Sequence, residues 1–404
     1  MAQGAMRLLR RNPALRAVVA SRLVSSAGTW LAYVALTVDV YTRTHSSAWV
    51  SAVLLADFLP TIAVASLAGP WLDRLPRRTL LIGSELAAGL VFVALPFAPN
   101  ATAIVALALG AGIASAVFFP SVRAALPSIV DERDLPRANA LSQTVATSGM
   151  AAGPVLAGLL VASSGVDTAY ALNAASFAVS AALLAQLPAL GHSSERDESG
   201  YWHEAAAGLR AYFDSPALRM ILRVWVVAAL GGAVINVGEI FLARQAFHAG
   251  TFGFGLLATA GGTGIAAGSV LAARITADTA TAALRIGLAV AALGFGAAAL
   301  SPNVWTAAAC ALVAGSGNAL FLAASTLIVQ QSTEDAVRGR AFATFDAAGF
   351  AAIAVGMATG GAIVAALGAR GAWVAAAGTI AVAGLSSLSR RSVVSVPQPE
   401  PQPS

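Results

Sequence analysis

Ionisable side chains interrupt long apolar runs of this sequence at Arg22, Asp39, Asp57, Glu239 and Asp346, with Asn236 one helical turn before Glu239. A charge at the centre of an apolar span costs at least ~2.5 kcal/mol on insertion scales, so each of these residues is a functional candidate first. Loading and releasing a proton near neutral pH requires a carboxyl in apolar surroundings, which makes Asp57, Glu239, Asp346 and Asp39 the proton-coupling candidates. Asp57 reads as the deepest of the four. Asp39, near the outer end of its run, also fits a solvated helix cap. Arg22 lies a turn or two into the first run, where its long stem equally suits snorkelling to an interface. A denser group of charges fills one short turn, Gly69-Pro-Trp-Leu-Asp73-Arg74-Leu-Pro-Arg77-Arg78-Thr79, between a run whose one charge is Asp57 and a run whose one charge is Glu85.

Other chemistries lack their residues. Cys310 is the only cysteine, which excludes an intrachain disulfide and a cysteine-based metal site. The four histidines are scattered without ligand spacing, and no Walker-type phosphate loop is present, which disfavours direct use of ATP. No metal, cofactor or enzymatic constellation is expected.

The elements that must hold these residues follow from composition. With 58% hydrophobic and 11% charged residues, the chain is an integral membrane protein. A spanning helix needs roughly 20 mostly apolar residues. Twelve such runs can be laid out, at about 17–41, 48–68, 79–98, 101–122, 139–164, 168–188, 219–243, 251–275, 280–300, 303–327, 341–367 and 371–389. Arg7, Arg10, Arg11 and Arg16 precede the first, but that run continues to Tyr41, too long for a signal peptide, so it reads as an uncleaved helix.

All 24 basic residues are arginines, and the net charge of +5 bears on topology and not on nucleic acid. With both termini in the cytoplasm, the inner segments receive Arg74, Arg77, Arg78, Arg123, Arg133, Arg137, Arg196, Arg210, Arg219, Arg274, Arg338, Arg340, Arg390 and Arg391. The outer loops receive only Arg43, Arg244 and Arg370. That asymmetry is what the positive-inside rule requires.

The longest break between spans divides the chain in the middle. The expected organisation is a six-helix bundle over 1–188, a cytoplasmic linker over 189–218, a second bundle over 219–390 and a disordered proline-rich tail over 391–404. Within the linker, Trp202, Ala206, Leu209 and Phe213 share one helical face, as in a helix lying in the membrane interface. The halves look like a diverged repeat: Glu132-Arg-Asp-Leu-Pro-Arg137 before span five is echoed by Glu334-Asp-Ala-Val-Arg338 before span eleven, about two hundred residues later.

The charged turn, Gly-x-x-x-Asp-Arg-x-x-Arg-Arg between two spans, resembles the loop between helices two and three of the major facilitator superfamily. It keeps Gly69, Asp73, Arg74, Arg77 and Arg78 and departs from the pattern at Trp71 and Pro76. Gly149-Met-Ala-Ala-Gly153-Pro154-Val-Leu-Ala157-Gly158 is similar to the antiporter motif of drug and proton exchangers, with Ala-Gly in place of its final Gly-Gly. Arg123-Ala-Ala-Leu-Pro-Ser-Ile-Val, Leu135-Pro-Arg137-Ala-Asn139-Ala-Leu and Ser215-Pro-Ala-Leu-Arg219 resemble the branch that holds enterobactin-exporter-like and transmembrane secretion-effector proteins. The resemblance runs from about Arg11 to Leu388.

This resemblance implies an all-α membrane fold of twelve transmembrane helices in two pseudo-symmetric six-helix bundles. It implies that Asp73 faces the amino end of helix eleven, near Arg340 and Ala341, where the helix dipole favours a carboxylate, and that Arg77 pairs with Asp131 or Glu132. Spans one, four, seven and ten would surround the cavity, which makes Arg22, Asn236 and Asn318 cavity candidates and Glu239 the carboxyl best placed to meet substrate. Asp57 and Asp346 would lie along the seam between halves.

The expected protein is therefore a multi-pass transporter of a bacterial inner membrane, working as a monomer in lipid on protons and a small molecule. Its expected activity is proton-coupled export of a small amphipathic compound such as a drug, siderophore or other secreted metabolite. An importer or facilitator, in which the span-five glycines only pack helices, and a non-transporting sensor on the same scaffold remain the alternatives.

Overall fold

Four of the long helices start on a side chain that caps them. In the computed structural model, which describes residues 2–64, 75–188, 210, 212 and 215–388 (without the side chains of 2–6, 335 and 336), a short helix, Ala2–Arg11, precedes the first long one. That long helix, α1 (Pro13–Thr44), has Pro13 in its first turn and the Asn12 side chain accepting from the Leu15 amide at 2.9 Å. It is followed by α2 (Ser47–Ala63), α3 (Arg77–Ala94) and α4 (Ala101–Ile129), the last capped by Asn100. The second half begins with α7 (Pro216–Phe241), capped by Ser215, and continues with α8 (Gly250–Ala272), α9 (Ala280–Leu300) and α10 (Val304–Gln331), capped by Asn303.

Two stretches, Leu135–Leu184 and Asp335–Ser386, are helical throughout except at Gly165 (φ 82°, ψ 172°) and Gly368 (φ 71°, ψ 174°). Fifty residues of continuous helix would reach about 75 Å, more than twice a hydrocarbon core of roughly 30 Å. The chain instead turns back at each glycine, in a backbone conformation open essentially only to that residue. Residues 135–164 (α5) run alongside α1, with Gly149 against Ser26 and Gly153 against Trp30. Residues 166–184 (α6) return antiparallel to it, from the Tyr170–Asp39 hydrogen bond to the Ser180–Ser21 one. Residues 335–367 (α11) and 369–386 (α12) treat α7 the same way: Gly356 and Gly360 follow Ala233 and Val237, and then Trp373 meets Gly238 and Ile380 meets Gly231. The short turns expected after residues 164 and 367 are thus single residues.

Among the described residues, nine helices are long and apolar enough to cross a membrane, the two broken ones each counted once. Taking each broken helix as two and adding the seventeen-residue α2 makes twelve helical segments. Their outer surface is apolar, with Phe97, Leu90, Val270, Leu293 and Leu300 all exposed, as a lipid-facing belt must be.

The halves repeat in register. Helices begin at 13 and 216, 47 and 250, 77 and 280, and 101 and 304, a constant offset of 203. Gly165 and Gly368 keep the offset, as do His45 (φ 51°) and His248 (φ 52°), left-handed residues closing the first helix of each half.

One face of the bundle holds the starts of α1, α3, α5, α7, α9 and α11, with Leu15, Leu81, Ala138 and Leu184 packed together there in the first half. We call it the terminal face, and its opposite, with Gly165 and Gly368, the far face. The halves meet between mid-span and the far face. Ser47 Oγ donates to the Gly361 carbonyl and the Gly361 amide to Ser51 Oγ, each at 2.7 Å. Tyr41 packs edge-on against Phe241, and Phe58 against Phe350 nearer mid-span. Toward the terminal face the seam helices expose Gln143, Thr144 and Ser148 on α5 and Asp346 and Ala347 on α11.

Candidate functional site: a cavity between the halves

A cavity of about 420 Å³ lies where α1 and α5 face α7, α8, α9, α10, α11 and α12. Its walls are aromatic, with Trp30, Tyr33, Trp225, Phe295, Phe321 and Trp373, and its polar groups include Glu239, Asn236 and Asn318. Glu239 is buried on α7, and its Oε2 accepts from the Tyr33 hydroxyl of α1 at 3.0 Å. Tyr33 is held by ring contacts with Trp30 and with Phe254 of α8. That bond therefore joins the two halves at the cavity, with the Tyr41–Phe241 contact beyond it toward the far face.

A second pocket of about 280 Å³ adjoins, lined by Arg22, Ser25, Ser26, Thr29, Phe118, Phe119 and Thr147. Trp30 and Met150 line both spaces. The Arg22 side chain is buried with its guanidinium 5.6 Å from the Phe119 ring centroid, so it does not snorkel to a membrane interface. It lines the smaller pocket, whereas Asn236, Asn318 and Glu239 line the larger.

The glycines of α5 divide between two partners. Gly149 and Gly153 lie against α1, and Gly158 against Gly255 and Thr251 of α8. The Pro154 carbonyl sits directly over Gly255, an approach that leaves no room for a side chain. Proline removes a backbone hydrogen bond and loosens its turn, and α8 supplies hydroxyls to the loosened groups. Thr259 Oγ1 accepts from the Val155 amide at 2.8 Å, and Thr263 Oγ1 donates to the Ala151 carbonyl at 3.1 Å.

The remaining carboxyls are spread out. Asp57 is solvent-accessible on α2 and lines neither of these cavities; among the described carboxyls Glu85 on α3 has the least exposure, at 2%. Asp39 is not a solvated cap. It is buried, takes the Arg43 guanidinium at 2.7 Å and accepts from the Tyr170 hydroxyl at 3.0 Å. Asp346 is exposed on α11, close enough to Arg123 of α4 for the two charges to interact. In the charged turn, Gly69, Asp73 and Arg74 lie outside the described residues, as do most of the linker and the tail. Arg77 donates to Ser128 Oγ at 2.7 Å and Arg78 to the Ala185 carbonyl, while Asp131 meets Arg133 at 3.4 Å. The described linker residue Tyr212 is buried and donates to the Ala341 carbonyl at 2.9 Å.

Sequence reasoning passed over Tyr33, Trp30, Trp225 and Trp373, which look like any other apolar residue in a span, and Thr259 and Thr263, whose spacing of four on a glycine-rich helix was the available signal. It noticed Glu85 only as the lone charge of its run, although the criterion that selected Asp57 applies to it equally.

The model of the transmembrane secretion effector family matches residues 8–399, nearly the whole chain. The chain belongs to that family. Similar curated members of the wider superfamily include the uncharacterized MFS-type transporter YfiS of Bacillus subtilis, 27% identical over 45% of this chain and 44% of that protein. The enterobactin exporter EntS of Shigella boydii serotype 18 is 28% identical over 58% of this chain and 56% of its own length. The match thus spans about half the length of those two relatives; with EntS of Citrobacter koseri it reaches 82% of this chain and 81% of that one, at 26% identity. Among solved structures, a mutant of the nucleoside transporter NupG superposes with a TM-score of 0.77 at 15% identity, covering 93% of this chain and 99% of that one. A bacterial homologue of the iron transporter ferroportin in an inward-facing state gives 0.75 at 15%, covering 96% and 100%. These likenesses establish the major facilitator fold. The secretion-effector chain is a membrane protein of several spans.

Proposed function

We propose that this transmembrane secretion effector is a proton-coupled exporter of small amphipathic compounds, worked by two six-helix units over 1–188 and 219–390 that rock about the cavity. The observation that carries the reading is the Tyr33–Glu239 hydrogen bond, a carboxyl of one half held by a hydroxyl of the other inside an aromatic cavity. The terminal face is placed in the cytoplasm on the distribution of arginines, so the gap between α5 and α11 is where a compound enters. Aromatic walls suit a flat apolar body, while Glu239, Asn236, Asn318 and, one pocket away, Arg22 meet its polar groups. Substrate contacts at the cavity walls draw the open side together. A proton arriving from the far side converts the Glu239 carboxylate to its acid, removes the charge that Tyr33 bonds to, and frees the site for release. Siderophores enter the test because relatives are enterobactin exporters.

Inside-out vesicles energised by respiration provide the assay, with dyes and siderophores as probes. Export predicts that one probe accumulates and collapses the pH gradient, and that Glu239→Gln abolishes the collapse. Accumulation without proton release would overturn the coupling. Uptake that requires the opposite gradient would make the protein an importer.

A further inference from the structure

We propose that Glu85 is a second proton-binding site of this transporter, loaded from the Arg22 pocket through Ser25; the proposal rests on the transport reading only for what the proton does next. The site lies inside the first bundle, away from Glu239. Glu85 Oε1 accepts from Ser25 Oγ of α1 at 3.1 Å, and Ser180 of α6, itself 2.7 Å from Ser21 Oγ, stands within reach of the carboxyl. Oε2 is buried with no partner, and so is the Asn173 amide nitrogen on α6. A buried carboxyl with an oxygen left bare is costly for a fold to keep, and it persists where it has a use.

The second half of the chain supplies an internal control. At the offset of 203, Glu85 corresponds to Leu288, Ser21 to Val224, Ser25 to Ala228, Ser180 to Ala383 and Asn173 to Ala376, all of them apolar and buried. The same three-helix packing is therefore satisfied without one polar atom. Packing does not require Glu85 or its serines.

Ser25 gives the carboxyl an exit. It lines the smaller pocket together with Ser26, Thr29 and Thr147. A hydronium in the pocket passes a proton to Ser25 Oγ as Ser25 passes its own to the carboxylate; one O–H bond forms on Glu85, and the hydronium becomes water. The return transfer restores both groups. Ionisable groups on the elements packed against α3 are Arg16, Arg22, Tyr33, Asp39, Tyr41 and Arg43 on α1, Arg123 on α4 and Asp167 and Tyr170 on α6. On α3 itself they are Arg77 and Arg78. Among the described residues, the groups that act on the Glu85 carboxyl are the hydroxyls of Ser25 and Ser180, and none of these charges does. Loading at Glu85 acts on α1, the helix that carries Tyr33 eight residues beyond Ser25, or about 12 Å along its axis.

The test is infrared spectroscopy of the full chain in lipid, following the C=O band of protonated carboxyls against pH and after transfer to D₂O. A band that titrates with pH is expected in Glu239→Gln and absent from the double variant Glu85→Gln/Glu239→Gln, in which neither proposed site can contribute. Ser25→Ala should keep the band and slow its exchange with D₂O at least about tenfold. In the Glu239→Gln background, a triple variant with the second half's residues, Glu85→Leu, Ser25→Ala and Ser180→Ala, should fold and lack the band, and it replaces Glu85→Gln should that variant misfold. The same titrating band in Glu239→Gln and in the double variant would overturn the proposal, as would a Glu85 band that neither titrates nor exchanges. A titrating Glu85 in a protein that releases no protons with any probe would refute coupled export alone.

Discussion

Tyr33 and Glu239 are the residues through which the cavity communicates with the seam. A hydrogen bond contributes ~0.5–1.5 kcal/mol net and up to ~3 where its acceptor is ionised, and here it holds two halves and not two neighbours on one helix. Tyr33→Phe keeps the ring packed on Trp30 and Phe254 and deletes only the hydroxyl, so closure of the far face should weaken by about tenfold or more. A cysteine placed at Asn236, in a Cys310→Ser background, reports this in intact cells through its labelling by a membrane-impermeant maleimide. The rate should rise by that factor in Tyr33→Phe, and an unchanged rate would mean that the bond does not hold the gate. Glu239 was legible in the sequence because an acid in an apolar run stands out, whereas its tyrosine partner did not. Asp57 and Glu85 give the same signal in one dimension, an acid in an otherwise apolar helix. Only packing separates them, since α2 leaves Asp57 accessible to solvent and α3 turns Glu85 toward α1 and α6. A helix apolar on all sides has no polar stripe from which its inward face can be read.

At the scale of elements, α5 is the helix whose sequence and role correspond most fully. Glycines let it approach α1 and α8, and the turn that Pro154 opens is answered by Thr259 and Thr263. Its small residues were visible in the sequence; their division between two neighbours was not. The single-residue reversals at Gly165 and Gly368 carry a sharper consequence. Nothing stands within 4 Å of a side chain added at Gly368, so Gly368→Ala changes backbone strain and nothing else. The expected loss is ~1–3 kcal/mol, read as a lower unfolding midpoint in detergent. Gly83→Ala, equally uncrowded but in mid-helix without positive φ, should be neutral or slightly stabilising by up to ~1 kcal/mol. Equal effects at the two positions would remove the case that the reversal depends on glycine.

For the whole molecule, the repeat is the frame and the charges are its exceptions. Arg22, Asp57 and Glu85 correspond at the offset of 203 to Trp225, Ala260 and Leu288, and Glu239 and Asp346 correspond to Leu36 and Gln143. Each intramembrane charge thus stands where the other half carries none. The repeat was visible in sequence as an echo near two hundred residues, but its register needed the helix starts, because side chains had diverged while caps and lengths had not. Two similar bundles whose packing contacts, among the described residues, lie mainly on one side of their cavity can exchange which side they touch. The hydrogen bonds and glycine contacts between α5 and α8, together with the α2–α11 contacts at Ser47, Ser51 and Gly361, lie toward the far face, so substrate closing the terminal side must loosen them. Hydrogen–deuterium exchange in lipid should therefore change with opposite sign in two places when a transported probe is added. Residues 142–148 and 343–348 should gain protection, and 151–158 and 255–263 should lose it. Protection rising in all four segments would indicate a ligand that rigidifies one state, and the rocking of two units would then be the wrong description of how this chain works.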